Sequence, residues 1–148
     1  MNAEAAQDIL QKHLRASGKL RSTPSRLAVL EAVLQSQGHF DAESLYYRMI
    51  TSGKKISRAT VYNTLDLLQE CGLVSKYRFA EHSSRYEKAF GRPHHHHLIC
   101  LECGDLIEFV NDRLNRIQED VCAEKNFSPQ SSSLQVFGTC AKCRKARI

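Results

Sequence analysis

Four of the six cysteines fall in two C-x-x-C pairs, Cys100-Leu101-Glu102-Cys103 and Cys140-Ala141-Lys142-Cys143. Two-residue spacing lets both thiolates of a pair reach one ion at about 2.3 Å, and two such pairs complete a tetrahedral zinc site. The first residues (MNAEAAQDIL) lack the basic and then apolar regions of a secretory signal, so paired cysteines read as metal ligands before disulfides. A redox dithiol is the competing chemistry, and two matched pairs favour zinc. The 36 residues between the pairs exceed what a compact zinc ribbon needs. They are expected to hold a helix and a strand, with zinc fastening the end of the segment to its start. Cys71 and Cys122 sit on apolar helical faces and read as small buried hydrophobes.

A second cluster, His94-His95-His96-His97, precedes Cys100 and is followed directly by Leu98-Ile99. In an extended segment His95 and His97 share one face, and His94 and His96 the other. Imidazoles two apart on a strand can chelate one ion. A solvated run of loop histidines is the alternative.

Upstream of these residues the chain reads as helices and a hairpin. Residues 3–16 are helix formers stopped by Gly18. Thr23-Pro24 is an N-cap with proline at the first helical position. Leu27, Leu30, Val33 and Leu34 follow at helical spacing, and Gly38 is expected to end that helix. Asp41 caps a third helix with Leu45, Tyr46 and Met49 on one face and Gly53 at its end. Ser57 caps a fourth over 58–71, with Val61, Leu65 and Leu68 inward and Gly72 closing it. Two short helices joined by a turn form a helix-turn-helix candidate. Residues 73–79 and 84–90 alternate around Ala80-Glu81-His82-Ser83, a β-hairpin that makes the candidate a winged helix. The exposed face of helix 58–71 is expected to carry Ser57, Arg58, Thr60, Tyr62, Asn63 and Thr64, which are donors for base edges and phosphates. An ordinary helical domain with a polar surface is the plainer alternative.

The 148 residues allow one ordinary domain or two small ones. With 42% hydrophobic and 25% charged residues, the composition is that of a globular chain. No apolar run approaches the roughly 18 residues of a membrane span, so no membrane partner and a cytoplasmic location are expected. The net charge is +5. Residues 1–90 carry 13 basic and 9 acidic side chains, against 8 and 7 in 91–148. The basic excess therefore lies with the helix-turn-helix, which suits a phosphate or nucleic-acid partner.

The chain resembles the ferric uptake regulator family of metal-dependent bacterial repressors. The stretches that carry the resemblance are Thr23-Pro24-Ser25-Arg26, His39-Phe40-Asp41-Ala42-Glu43, Ser57-Arg58-Ala59-Thr60-Val61-Tyr62-Asn63, Ser84-Arg85-Tyr86-Glu87, His94 through Gly104, and Phe137-Gly138 before the second cysteine pair. The resemblance implies an α+β chain: a winged helix-turn-helix domain over 1–90 and an α/β dimerisation and metal-binding domain over 91–148, stapled by a four-cysteine zinc site. It implies a homodimer that binds double-stranded DNA at AT-rich inverted repeats when a regulatory metal is bound, with no small-molecule substrate. Carried over residue by residue, Cys100, Cys103, Cys140 and Cys143 match the structural Zn2+ site. His39, Glu87, His95, His97 and Glu108 match the regulatory site, for Fe2+ or Mn2+ with Zn2+ able to substitute. Arg21 matches a minor-groove basic residue, and Tyr62 the recognition-helix tyrosine. A metal held by the five regulatory residues would select one domain arrangement.

Peroxide-responsive members carry aspartates where this chain has Glu87 and Glu108, so the resemblance is closer to the iron sensors. Zinc sensors use a regulatory cysteine, and none lies between Cys71 and Cys100. Asn63 stands where iron-responsive members have arginine and resembles the peroxide branch. A further metal site of many iron-responsive members would fall on His94, His96, Asn115 and Ser132; the last two are poor ligands, so this site is expected to be absent or crippled. The alternative within the family is a peroxide-responsive or other Mn-, Zn- or Ni-sensing regulator. Outside it, an enzyme is disfavoured, because H-x-E with P-C-x-x-C, H-E-x-x-H, G-x-S-x-G and phosphate-binding glycine loops are all missing. A thiol oxidoreductase would need a reactive C-x-x-C, and a metal-buffering protein would show no metal-dependent DNA affinity.

Overall fold

The structure is a computed structural model in which residues 2–18, 21–79, 83–89, 94–129 and 132–147 are described. It divides into two units, Met1–Arg92 and Pro93–Ile148. The expected boundary between residues 90 and 91 and the turn residues Ala80-Glu81-His82 lie outside the described residues.

The first unit runs α1 (Ala3–Ser17), α2 (Pro24–Gln35), α3 (Ala42–Thr51), α4 (Arg58–Glu70), β1 (Val74–Phe79) and β2 (Ser83–Lys88). Each helix start has its own cap. The side chains of Asn2, Thr23, Asp41 and Ser57 accept from the backbone N–H three residues on, each typically worth about 1 kcal/mol. At the other end of α1, Gly18 adopts φ 65°, a left-handed value that glycine reaches without strain. α2 stops at Gln35, earlier than the glycine signal indicated. There Ser36 turns to extended backbone and returns its hydroxyl to the carbonyl of Ala32. Leu10, Leu14, Val29, Leu30, Val33, Leu45, Met49, Val61, Leu65 and Leu68 form one core, with Leu73, Val74 and Tyr86 from the hairpin. Each fully buried aliphatic contributes about 1.5–3 kcal/mol before chain entropy is counted.

α3 and α4 are the helix-turn-helix, and β1 and β2 pair antiparallel as its wing. The wing is tied back to the start of α3 by a reciprocal bridge. Phe40 N–H donates to the Tyr86 carbonyl at 2.9 Å, and Tyr86 N–H to that of Phe40 at 2.7 Å.

The second unit runs β3 (His96–Cys100), β4 (Leu106–Phe109), α5 (Asp112–Glu124), β5 (Gln135–Gly138) and α6 (Ala141–Ala146). Its sheet has the order β4-β3-β5, with β3–β4 antiparallel and β3–β5 parallel. A parallel pair needs a crossover, and α5 lies in it. The expected helix and strand between the cysteine pairs are therefore present. Not one residue of α5 is buried. Cys122, expected in a core, is only half-covered, whereas Cys71 follows α4 and packs on the core.

Candidate metal centres and nucleic-acid face

β3 ends at Cys100, and a tight turn returns through Cys103 and Gly104. The turn is held by Gly104 N–H on the Cys100 carbonyl and by Cys100 N–H on that of Asp105. Gly104 sits at φ 73°, where a side chain would be strained. β5 delivers Cys140 beside this turn through Leu101 N–H on the Gly138 carbonyl, and α6 carries Cys143. The sulfurs of Cys100 and Cys143 are 3.9 Å apart, those of Cys103 and Cys140 3.7 Å, and all four lie within 4.8 Å of one another. A disulfide would bring two of them to about 2.05 Å. A tetrahedron with metal–sulfur bonds of about 2.3 Å has edges of about 3.8 Å, so the spacing is that of zinc ligands. Backbone N–H groups of Cys103 and Cys140 lower the Cys100 thiol to about 6. Hydrogen bonds from Cys140 and Cys103 push the Cys143 thiol the other way. One thiolate is thus readily formed, and the full set calls for a dication to balance it.

His39 stands just before the bridge residue Phe40, and Glu87 just after Tyr86, so the bridge sets the two side chains together. His39 Nε2 lies 2.8 Å from Glu87 Oε2, and Tyr77 Oη donates to Glu87 Oε1 at 2.6 Å. Glu87 is fully buried. In the second unit His97 is paired across the ladder with Glu108, and residues directly opposite share a face. The rings of His95 and His97 are 4.9 Å apart, as alternation required. These five residues thus form two groups, each assembled within its own unit.

The opposite histidine pair meets other partners. The rings of His94 and His96 are also 4.9 Å apart. His96 Nε2 contacts Asn115 Oδ1 at 3.1 Å, and His94 Nε2 contacts Ser132 Oγ at 3.3 Å. The register suggested for Asn115 and Ser132 therefore describes real neighbours. Facing the amide oxygen, His96 Nε2 donates to it, which leaves the ring's lone pair on the buried Nδ1. Amide and hydroxyl oxygens are neutral and weak ligands for a transition metal. Desolvation, then the neighbouring His96 and His95, lower the pKa of His94.

On α4, Arg58, Tyr62 and Asn63 are exposed, with Ser57 exposed at the cap and Thr60 half-buried one turn on. Arg21 is exposed ahead of α2 and offers its carbonyl to Arg26. Thr64 is a correction: it is fully buried, and its hydroxyl donates to the Thr60 carbonyl at 2.6 Å. It is therefore part of the core face and reads nothing. Two partners had no signal in the sequence, Tyr77 on Glu87 and Glu43 on the α4 residues. Glu43 accepts from both Arg58 and Tyr62.

Residues 17–137 match the profile of the Ferric uptake regulator family. The chain belongs to that family. Among relatives, it is 34% identical over 141 residues to the ferric uptake regulation protein of Campylobacter jejuni subsp. jejuni, covering 93% of this chain and 89% of that one. Of solved ferric uptake regulators, that of Helicobacter pylori aligns with a TM-score of 0.76 at 26% identity over 97% of this chain and 95% of that chain, and is described as having three functional metal binding sites. The Pseudomonas aeruginosa protein, solved with manganese, aligns with a TM-score of 0.74 at 27% identity, covering 88% and 96%. The winged helix-turn-helix with a C-terminal dimerisation domain is thus a ferric uptake regulator architecture, and the cysteine tetrad fits the family's structural zinc.

Proposed function

We propose that this ferric uptake regulator homologue is a homodimeric repressor that binds AT-rich inverted repeats in DNA when Fe2+ is available, with Mn2+ able to replace it. It acts in the cytoplasm and catalyses no reaction. The observation that carries the reading is the buried Glu87 facing His39 at 2.8 Å beside the wing of a helix-turn-helix. A carboxylate is expensive to bury without a cation or strong donors, and this one is built into the element that would touch DNA. His95, His97 and Glu108 are the second group of the same proposed regulatory site. Imidazole and carboxylate ligands suit Fe2+, Mn2+, Zn2+ or Ni2+, so availability decides the resident metal as much as affinity does. When bound, the metal supplies a charge shared by both groups. The residues then restrict the arrangements open to the link between the units, which is a population shift toward the DNA-competent form.

Dimerisation is supported by the second unit's surface. Leu98, Ile107 and Val136 stand in register across the sheet and are 39%, 50% and 47% exposed. Ile117 and Val121 are exposed on α5. Apolar rows of this kind mark interaction surfaces. Asn63 favours a second reading, a peroxide-responsive operator preference within the same family.

The test is anisotropy of a labelled AT-rich inverted-repeat duplex with zinc-loaded, reduced protein, run anaerobically at one salt concentration with and without Fe2+ or Mn2+. Tight binding only with metal is expected, and His97→Ala should fold and keep zinc yet lose that dependence. Equal binding with and without metal, or a wild-type response from His97→Ala, overturns the regulatory site.

A further inference from the structure

The N-terminal end of α4 is met by an acidic residue of α3 that is not a DNA ligand in any simple sense. Glu43, in the first turn of α3, accepts from Arg58 Nε on Oε2 at 3.1 Å and from Tyr62 Oη on Oε1 at 3.1 Å. Both of its oxygens are therefore engaged by the two residues best placed to reach DNA. Arg58 is further held by Nη2 on the Tyr47 hydroxyl at 2.9 Å, and its guanidinium lies 4.6 Å over the Tyr46 ring. The cluster remains exposed to solvent, with Arg58 and Glu43 side chains 52% and 44% accessible.

Three physical consequences follow. A phosphate approaching Arg58 meets the Glu43 carboxylate already on Nε, and that like charge repels it. Tyr62, donating to Glu43, has no proton left for a phosphate until that bond breaks. An exposed ion pair is weak, so a well-placed acceptor can displace it. Every duplex meets this cost, but only one that offers matched acceptors to both Arg58 and Tyr62 recovers it. Specificity is a difference of affinities, and a built-in competitor widens that difference by weakening the wrong complexes.

We propose that Glu43 is a specificity-determining residue of the DNA face, an internal anion that occupies Arg58 and Tyr62 until an operator takes them over. The inference rests on the DNA-binding reading above.

Two duplexes of equal length, one an AT-rich inverted repeat and one GC-rich and scrambled, are titrated with wild type and Glu43→Gln by anisotropy with Mn2+ across a range of salt. Glu43→Gln should bind the scrambled duplex about fivefold more tightly. Its log–log salt slope there should steepen by about one, the value for one further phosphate contact. Affinity for the inverted repeat should rise less, so the ratio between the two falls. Without DNA, the ultraviolet titration difference between the two proteins should show Tyr62 ionising at lower pH in Glu43→Gln, because burial first and Glu43 second hold its hydroxyl above the usual tyrosine value. Circular dichroism confirms that the variant is folded, and Glu43→Ala repeats the comparison. If wild type discriminates and the variants match it on both duplexes, Glu43 has no such role although the DNA reading stands. An unchanged Tyr62 titration likewise overturns the contact in solution. Loss of inverted-repeat affinity in Glu43→Gln would make Glu43 a positioning residue, against the proposal. If no protein binds either duplex, the DNA reading fails and takes this inference with it.

Discussion

Glu87 concentrates the problem that single residues pose in this chain. Its carboxylate is buried against His39 and the Tyr77 hydroxyl, and burial of that kind is tolerated only with such partners. On the opposite face of the histidine run, His94 Nε2 meets Ser132 and His96 Nε2 meets Asn115, both neutral and weak ligands, while His96 Nδ1 is buried without a hydrogen bond. The two faces should therefore differ in metal content. Elemental analysis of purified protein loaded with Zn2+ and Mn2+ is expected to give two metals per chain, unchanged by His94→Ala with His96→Ala; a third equivalent lost in that double variant would refute the neutral pairing. The cysteine tetrad and the histidine alternation were legible because both depend on spacing of a few residues. Tyr77 and Glu43 were not, because ten and fifteen or more residues separate them from their partners and only the fold brings these together. Thr64 was misassigned for a related reason. A hydroxyl that bonds its own helix can be buried, and pattern alone placed it outside.

Among elements, the helix starts were the most readable, since Thr23, Asp41 and Ser57 each accept from a backbone N–H three residues on. Helix ends were less so, and α2 stops where Ser36 bonds backward instead of at Gly38. The zinc knuckles act at this scale. They join the end of β3 to α6, and so hold the parallel partner β5 against β3. Replacing Cys143 by Ser should release zinc, with loss of second-unit structure and of the dimer, because folding and metal binding are coupled. Ultracentrifugation and thermal melting read this directly. An unchanged mass and melting temperature would exclude a structural role for the tetrad.

At the scale of the whole molecule the two units differ in how they hold together. The main core cluster, from Ala6 to Tyr86, belongs to the first unit. Among the described residues of the second, Ile99 and Cys100 are the buried hydrophobics. So thin a core ordinarily needs a metal, a partner or both. Val136→Glu, in the exposed row with Leu98 and Ile107, is expected to leave helical content intact and to reduce the species seen by light scattering to one 16.8 kDa chain. A stable dimer in that variant would move the interface elsewhere. The exposed row was not foreseen, because periodicity identifies apolar faces without saying what covers them.

The parallel pairing of β3 with β5 has a consequence for the protein's biosynthesis. Those strands meet only after the chain between them has been looped back, and closing the 34-residue loop over 101–134 costs about 3 kcal/mol of chain entropy. Zinc binding at such sites contributes about 10–16 kcal/mol, enough to decide the matter. The first unit, with its own core and mostly local helix contacts, needs no such help. A cell short of zinc would accordingly accumulate chains whose first unit is formed and whose second unit is not. The supply of one metal would then set how many molecules are available to respond to another.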